Sequence, residues 1–175
     1  SEVLDLVGSS LGEVFLDPQG LVRRLGEGGK VEHFCERKTF SKLVGSVHFV
    51  KPNELEAEVI TGLQDQAESA RKLVEWGARI AIVTLGEKGS VACDRETCLS
   101  IPAYKTIAVD PTGAGDVYAG AFLAEYSRTK DLSSSCLYAS AAASVMVENV
   151  GPDFPLTDDE VRRRAALIGS APRRL

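Results

Sequence analysis

Apolar positions along this chain fall into two alternating spacings. Short apolar runs at Val14 to Asp17, Val47 to Val50, Arg79 to Leu85, Ser90 to Cys93, Cys98 to Ile101 and Thr106 to Val109 have the length and composition of strands. Between them, Glu54 to Thr61 and Asp65 to Trp76 carry helical spacing, the second with Ala67, Ala70, Leu73, Val74 and Trp76 in one stripe. Strand alternating with helix predicts an α/β fold: a mostly parallel sheet with helices on both faces. Past residue 110 the pattern turns wholly helical, with helices expected at Gly115 to Arg128, at Leu132 to Glu148, and in a last segment capped by Thr157 with Glu160 three residues on. Asn149 to Pro155 is a short connector, and there is no repeat or low-complexity linker, so residues 1–175 are expected to form a single α/β domain.

The chemistry concentrates where the two patterns meet. In Val109-Asp110-Pro111-Thr112-Gly113-Ala114-Gly115-Asp116, the proline and the small residues force a tight turn, and helical spacing begins at Gly115. The turn therefore opens a helix, and the backbone N–H groups of Gly113, Ala114 and Gly115 lie bare at its N-terminus, where unpaired donors and the helix dipole favour an anion. Asp116, ionised and just inside that helix, is placed to accept the proton of an attacking hydroxyl while those N–H groups stabilise a transferring phosphoryl group. Taken alone, the same residues also describe an ordinary helix start whose acidic side chain complements the dipole.

Other polar positions follow strands. In open parallel sheets ligands gather beyond the carboxyl ends of the strands, so Asp17, Asn53, Thr84 to Gly89 and Asp110 to Asp116 are expected to converge on one edge. Asn53 and Glu56 start a helix three residues apart and can project together, an amide toward phosphate and a carboxylate toward a metal or its waters; alternatively Asn53 simply caps the helix. Thr84, Gly86 and Gly89 form a turn that a nucleotide can approach, or a plain connection between strands. Asp17 before Pro18 has the form of an N-cap with proline at the first helical position, with a metal-proximal role as the alternative. His48, inside an apolar strand, is expected to be a hydrogen-bonded core residue, and His33 carries no case for chemistry.

The run from Asp110 to Phe122 resembles the C-terminal signature of the ribokinase-like (PfkB) family of carbohydrate and nucleoside kinases. Asn53-Glu54-Leu55-Glu56 is similar to the family's Asn-x-x-Glu motif, and Val83-Thr84-Leu85-Gly86-Glu87-Lys88-Gly89 to its Thr-x-Gly-x-x-Gly turn, in the family's order. Pro111 stands where most relatives carry Thr, and its fixed φ suits a turn that stays closed. The resemblance implies transfer of the γ-phosphoryl group of ATP to a hydroxyl of a sugar, a nucleoside or a polyol such as inositol. It implies Asp116 as base, Gly113, Ala114 and Gly115 as the anion hole, and Asn53, Thr84, Gly86 and Gly89 as ATP-binding residues. It further implies Mg2+ with the ATP near Glu56, directly or through water, with Asp17 as a further metal residue, and a monovalent cation such as K+ at Asp110 and Thr112. The run Asp17-Pro18-Gln19-Gly20-Leu21-Val22-Arg23 is similar to stretches in members acting on inositol or nucleosides.

Family members are longer chains that carry acceptor-recognition residues and a β-stranded lid in their N-terminal part. No Gly-Gly-x-x-Asn stretch precedes Glu13 to Asp17, so that part and the lid are expected to be missing from this sequence. Two further readings follow: a nucleotide-binding fragment inactive without the missing part, or a structural half completed by a partner, either a second copy in a homodimer or a separate N-terminal half.

Composition changes the picture little. A 44% hydrophobic fraction with 26% charged residues and 16 Gly describes an ordinary globular domain. The net charge of -5 argues against nucleic acid, and the basic cluster Arg162-Arg163-Arg164 is expected to be a solvated helix face behind Asp158-Asp159-Glu160. No apolar run is long enough for a membrane span, and the expected location is cytoplasmic. Of the four cysteines, Cys93 and Cys98 face each other across an expected hairpin turning at Asp94 to Thr97; the reading favours small apolar packing over a disulfide, and zinc is not expected.

Overall fold

The computed structural model describes residues 12–168 and 173–175, in two compact units. One unit holds the described residues up to Thr84, together with Val91–Cys98 and Leu175; the other holds Leu85–Ser90 and Leu99–Arg174.

In the first unit the parallel pattern forms as expected. Strand β1 (Phe15–Leu16) pairs in parallel with the strand at Phe49–Val50, which pairs in parallel with the strand at Ile80–Thr84. Between β1 and its partner lie a hairpin, β2 (Arg23–Leu25) against β3 (Val31–His33), and helix α1 (Arg37–Val44). Neither the hairpin nor α1 was expected from the apolar pattern. The strand at Phe49–Val50 is therefore β4; it is followed by α2 (Glu54–Thr61), α3 (Gln66–Glu75), β5 at Ile80–Thr84, and β6 (Ser90–Cys93), which neighbours β5. Phe49, Val50, Ile80, Ile82 and Val83 are fully buried, which is why this apolar run lies in the middle of the sheet, and Ile60 and Leu73 present the helical stripes to the core.

Cys93 and Cys98 are joined as a disulfide with their Cα atoms 4.1 Å apart, correcting the expectation that they pack as separate apolar groups. The turn between them is closed independently by Asp94, whose Oδ1 accepts from the N–H groups of Glu96 (2.9 Å) and Thr97 (2.7 Å). An Asx turn thus brings the two sulfurs together.

In the second unit, β7 (Cys98–Ile101) pairs antiparallel with β8 (Arg173–Arg174), and three helices follow the turn at residues 110–116: α4 (Ala114–Thr129), α5 (Leu132–Val147) and α6 (Asp158–Leu167). Helix α5 buries Ala139, Ala141, Ala142, Ser135, Ser140 and Ser144; such small side chains let neighbouring helices approach closely. Ala141 and Ala142 pack with Val161 of α6 and with Val117 and Ala121 of α4.

Two expectations fail in this unit. Thr106 to Val109 is not a strand: its residues lie on the surface, with Ile107 85% exposed. The basic cluster is not a uniformly solvated face either. Arg163 is exposed, but Arg162 reaches the buried Glu125 carboxylate at 3.0 Å, and Arg164 is itself buried. A charged triplet on a helix looks solvated only when its distant partners are ignored. Among the described residues no helix is long and apolar enough to cross a membrane.

Candidate functional site

Three neighbouring parallel strands of the first unit end together, and the residues just beyond them carry charge. A parallel bridge joins Asn53 to Thr84, and the N–H of Thr84 donates to the carbonyl of Pro52 at 3.1 Å, so the two residues taken from separate motifs lie side by side. Asn53 caps α2 in a reciprocal box: its Oδ1 accepts from the Glu56 N–H at 2.9 Å, while Glu56 Oε2 accepts from the Asn53 N–H at 3.0 Å. Both side chains therefore serve the helix start, as the capping alternative required. The box uses only one carboxylate oxygen. Glu56 is 1% exposed, its Oε1 has no hydrogen-bond partner, and the nearest cation is the half-exposed Arg23 guanidinium at 3.7 Å. An ionised oxygen buried without a hydrogen bond is costly unless a cation or its bound water meets it. Glu56 thus fits the neighbourhood of a magnesium ion.

Asp17 departs from the expected N-cap. The segment after it is a short 3-10 turn, Gln19–Val22, whose cap position is Pro18, and Asp17 Oδ1 only reaches the N–H of Gln19 at 3.4 Å. Its Oδ2 pairs instead with Lys51 at 2.7 Å, a lysine only 3% exposed at the end of β4. Arg23 closes the run from Asp17 already noted in the sequence; Lys51 is the charged residue that the sequence did not single out. The signal for Lys51 was present: a lysine closing an apolar strand immediately before Pro52-Asn53. Among the described residues no three His, Cys, Asp or Glu side chains group as a metal cage. An ion at Glu56 would take its other ligands from substrate phosphate and water, as magnesium commonly does. His48 is hydrogen-bonded as expected, its Nδ1 accepting from the Val14 N–H at 3.1 Å, but it is only half-buried and lies just before β4 rather than in the core.

The second unit holds the glycine turns. At Leu85–Gly89 the chain closes on itself through Leu85 N–H to Gly89 carbonyl at 2.8 Å, and Gly89 has φ +101°. A Cβ on Gly89 would lie 2.0 Å from the carbonyl oxygen of Ile101, so its missing side chain serves packing against residues 101–103. Gly86 is different: φ is +58° and nothing lies within 4 Å of a would-be Cβ, which leaves its backbone open to a ligand.

The turn at Asp110 to Asp116 has the expected form. Asp110 Oδ1 accepts from the Thr112 N–H at 2.9 Å, a bond that holds the Asp110 carboxyl below the usual carboxylate range. Gly113 adopts the left-handed conformation, φ +88°, and α4 begins at Ala114 with no side chain capping it. The Ala114 N–H, expected to be bare, donates to the Pro111 carbonyl at 3.2 Å. Among the described residues the N–H groups of Gly113, Gly115 and Asp116 are left without acceptors, so the open donors keep two of the expected three and exchange Ala114 for Asp116. Asp116 is exposed on the first turn of α4. The whole arrangement is suspended from α5: the N–H groups of Val109 (2.6 Å) and Asp110 (3.1 Å) both donate to the carbonyl of Val147.

Comparison with known proteins shows the family. The profile of the pfkB family of carbohydrate kinases matches residues 30–159. The chain is similar to a cytidine kinase of Thermococcus kodakarensis, 43% identical over 106 residues that cover 59% of this chain and 38% of the relative. Among solved structures it resembles a Methanocaldococcus jannaschii nucleoside kinase, an archaeal member of the ribokinase family, with a TM-score of 0.74 and 28% identity over 93% of this chain and 51% of the other. It also resembles a pyrophosphate-dependent kinase of the ribokinase family solved with sulfate, at a TM-score of 0.77 and 25% identity over 92% of this chain and 55% of the other. The chain thus spans about half the length of these structures and less of the cytidine kinase.

Proposed function

Because the chain belongs to the pfkB family of carbohydrate kinases, we propose that it supplies the donor-binding and catalytic portion of an ATP-dependent kinase acting on a small polyhydroxy acceptor. The observation that carries this reading is the opening of α4, where the N–H groups of Gly113, Gly115 and Asp116, without acceptors among the described residues, stand beside an exposed carboxylate. Asp116 takes the proton of the acceptor hydroxyl as the new oxygen–phosphorus bond forms and the bond to the leaving diphosphate breaks. The N–H groups stabilise charge on the transferring phosphoryl group, and little more is needed, because positioning and electrostatics account for most of phosphoryl transfer.

Asn53 and Thr84, joined by their backbone bridge, and the open glycine at Gly86 contribute to holding the nucleotide, while Gly89 keeps that turn in shape. Glu56, through the oxygen its cap leaves free, would hold magnesium or its water, with Asp17, itself paired to Lys51, as a further metal residue; the ion would screen phosphate charge. The carbonyls of Asp110 and Thr112 are the positions for a monovalent cation such as K+. The acceptor is a sugar, a nucleoside or a polyol such as inositol.

The test is acceptor-dependent release of ADP with Mg-ATP, and of phosphate with pyrophosphate, against a panel of sugars, nucleosides and inositol. Turnover that falls ~10²-fold or more in Asp116→Asn is the expected result. Undiminished turnover in that variant overturns Asp116 as base. Nucleotide binding without turnover on any acceptor identifies a donor-binding portion whose acceptor site lies in another segment or subunit.

A further inference from the structure

Arg164 is buried in the second unit at 8% exposure, and its guanidinium makes four hydrogen bonds. NH1 and NH2 grip Glu148 as a fork at 2.7 and 2.8 Å, Nε donates to Glu160 at 2.7 Å, and NH1 also reaches Ser144 Oγ at 3.1 Å. The face of the guanidinium lies over the Tyr104 ring, 4.9 Å from its centroid. This is more than α6 needs to pack on α5, because two of the partners lead elsewhere. Glu148 also accepts from the hydroxyl of Thr106, and Tyr104 and Thr106 belong to the irregular segment that runs into the phosphate turn.

That segment has little else to hold it. Among the described residues the backbone from 103 to 108 makes no hydrogen bond, and residues 105–109 are exposed. Its anchors are the Ser140 hydroxyl on the Pro102 carbonyl at 3.1 Å, Tyr104 on Arg164, Thr106 on Glu148, and the paired N–H groups of Val109 and Asp110 on Val147. Glu148 directly follows Val147, so the residue gripped by Arg164 adjoins the carbonyl from which the turn hangs.

We propose that Arg164 is a positioning residue for the phosphate turn: by gripping Glu148 and stacking on Tyr104, it fixes residues 104–110 to the end of α5. It thereby sets the direction in which the N–H groups of Gly113, Gly115 and Asp116 point. The inference rests on the reading of that turn as a phosphate site. It predicts that a planar fork is required, since an ammonium cannot grip two carboxylates and stack at once.

Residue-resolved amide exchange, urea unfolding and calorimetric titration with Mg-ATP test it in the parent, Arg164→Met, Arg164→Lys, Thr106→Val and Arg163→Met. In both Arg164 variants the amides of Val109 and Asp110 should exchange about tenfold faster, beyond any change shared by the amides inside α5, and Mg-ATP should bind about tenfold more weakly. Thr106→Val, which leaves the packing of α6 on α5 untouched, should move the same two amides in the same direction, so the proposal stays testable even if an Arg164 variant fails to fold. Arg163→Met, at an exposed site, should change neither. The proposal is overturned if Val109 and Asp110 change only as much as the interior of α5, if Lys restores the parent pattern, or if those amides loosen while Mg-ATP affinity is kept. A parent that binds no Mg-ATP counts against the kinase reading, while the exchange pattern still decides whether Arg164 fixes the segment.

Discussion

At Glu56 the two carboxylate oxygens have different tasks, and chemistry can separate them. Gln completes a capping box as Glu does, so Glu56→Gln should keep the fold within ~1 kcal/mol while raising the magnesium concentration needed for half-maximal activity; Glu56→Ala should lose the cap as well, at about 1 kcal/mol. Urea unfolding beside a magnesium titration distinguishes the two, and an unchanged magnesium requirement in Glu56→Gln would remove the ion from this residue. The two glycines of the turn at Leu85–Gly89 also differ. Gly89→Ala forces a Cβ to 2.0 Å from a backbone oxygen at φ +101°, and should destabilise by about 3 kcal/mol. Gly86→Ala meets only open space and should cost about 1 kcal/mol, so a thermal melt ranks them. From sequence both were simply glycines of one motif. What separates them is the approach of residues 101–103, which no local pattern encodes.

Among elements, those built on local rules were legible. The proline and glycines of the catalytic turn, the Asn53 box and the apolar run of β5 all declare themselves within a few residues. The run Ile107-Ala108-Val109 misled because short apolar stretches do not distinguish a buried strand from an exposed segment tied to a helix end. Helix α1 was missed because its cap, Glu36 accepting from the Thr39 N–H at 2.8 Å, is not the usual Ser, Thr, Asp or Asn. The polar staples of α6 carry a pH signature. Hydrogen bonds from Arg163 and Arg164 hold Glu160 down to about 2, and Arg164 likewise lowers Glu148. A carboxylate whose folded pKa lies below its unfolded value stabilises the fold fully above the unfolded value, and that contribution disappears as pH falls toward the folded one. Stability should therefore decline from about pH 4.5 toward about pH 2, with a smaller decline in Glu160→Gln and matching behaviour of the two proteins above pH 6. Parallel slopes across the acid range would remove Glu160 from that role. The Cys93–Cys98 hairpin yields a second element-scale expectation: closing so short a loop contributes about 2 kcal/mol. Since Asp94 closes the same turn, Asp94→Ala should be tolerated with the bridge intact and cost more after reduction, a non-additivity read by melting each form.

For the whole molecule, the family and the α/β class were readable because three motifs stand in order along the sheet and turn; the burial of Arg164 was not, because Glu148 and Ser144 lie 16 and 20 residues back, at the end of and within another helix. Ligand linkage gives the molecule-wide test of the donor. Mg-ATP at a hundredfold its dissociation constant should raise stability by about 2.7 kcal/mol, several degrees in melting temperature. A melt unmoved by millimolar Mg-ATP would assign the donor site to some other chain. The irregular stretch between β7 and the turn at residues 110–116 has one more consequence. Lys105 is exposed in backbone that, among the described residues, makes no hydrogen bonds of its own, which is what trypsin requires of a substrate. A single nick there would cut the chain between β7 and Asp116 while leaving the turn's suspension from α5 in place, so the rate at which phosphate ligands slow that cut measures how firmly the segment is held.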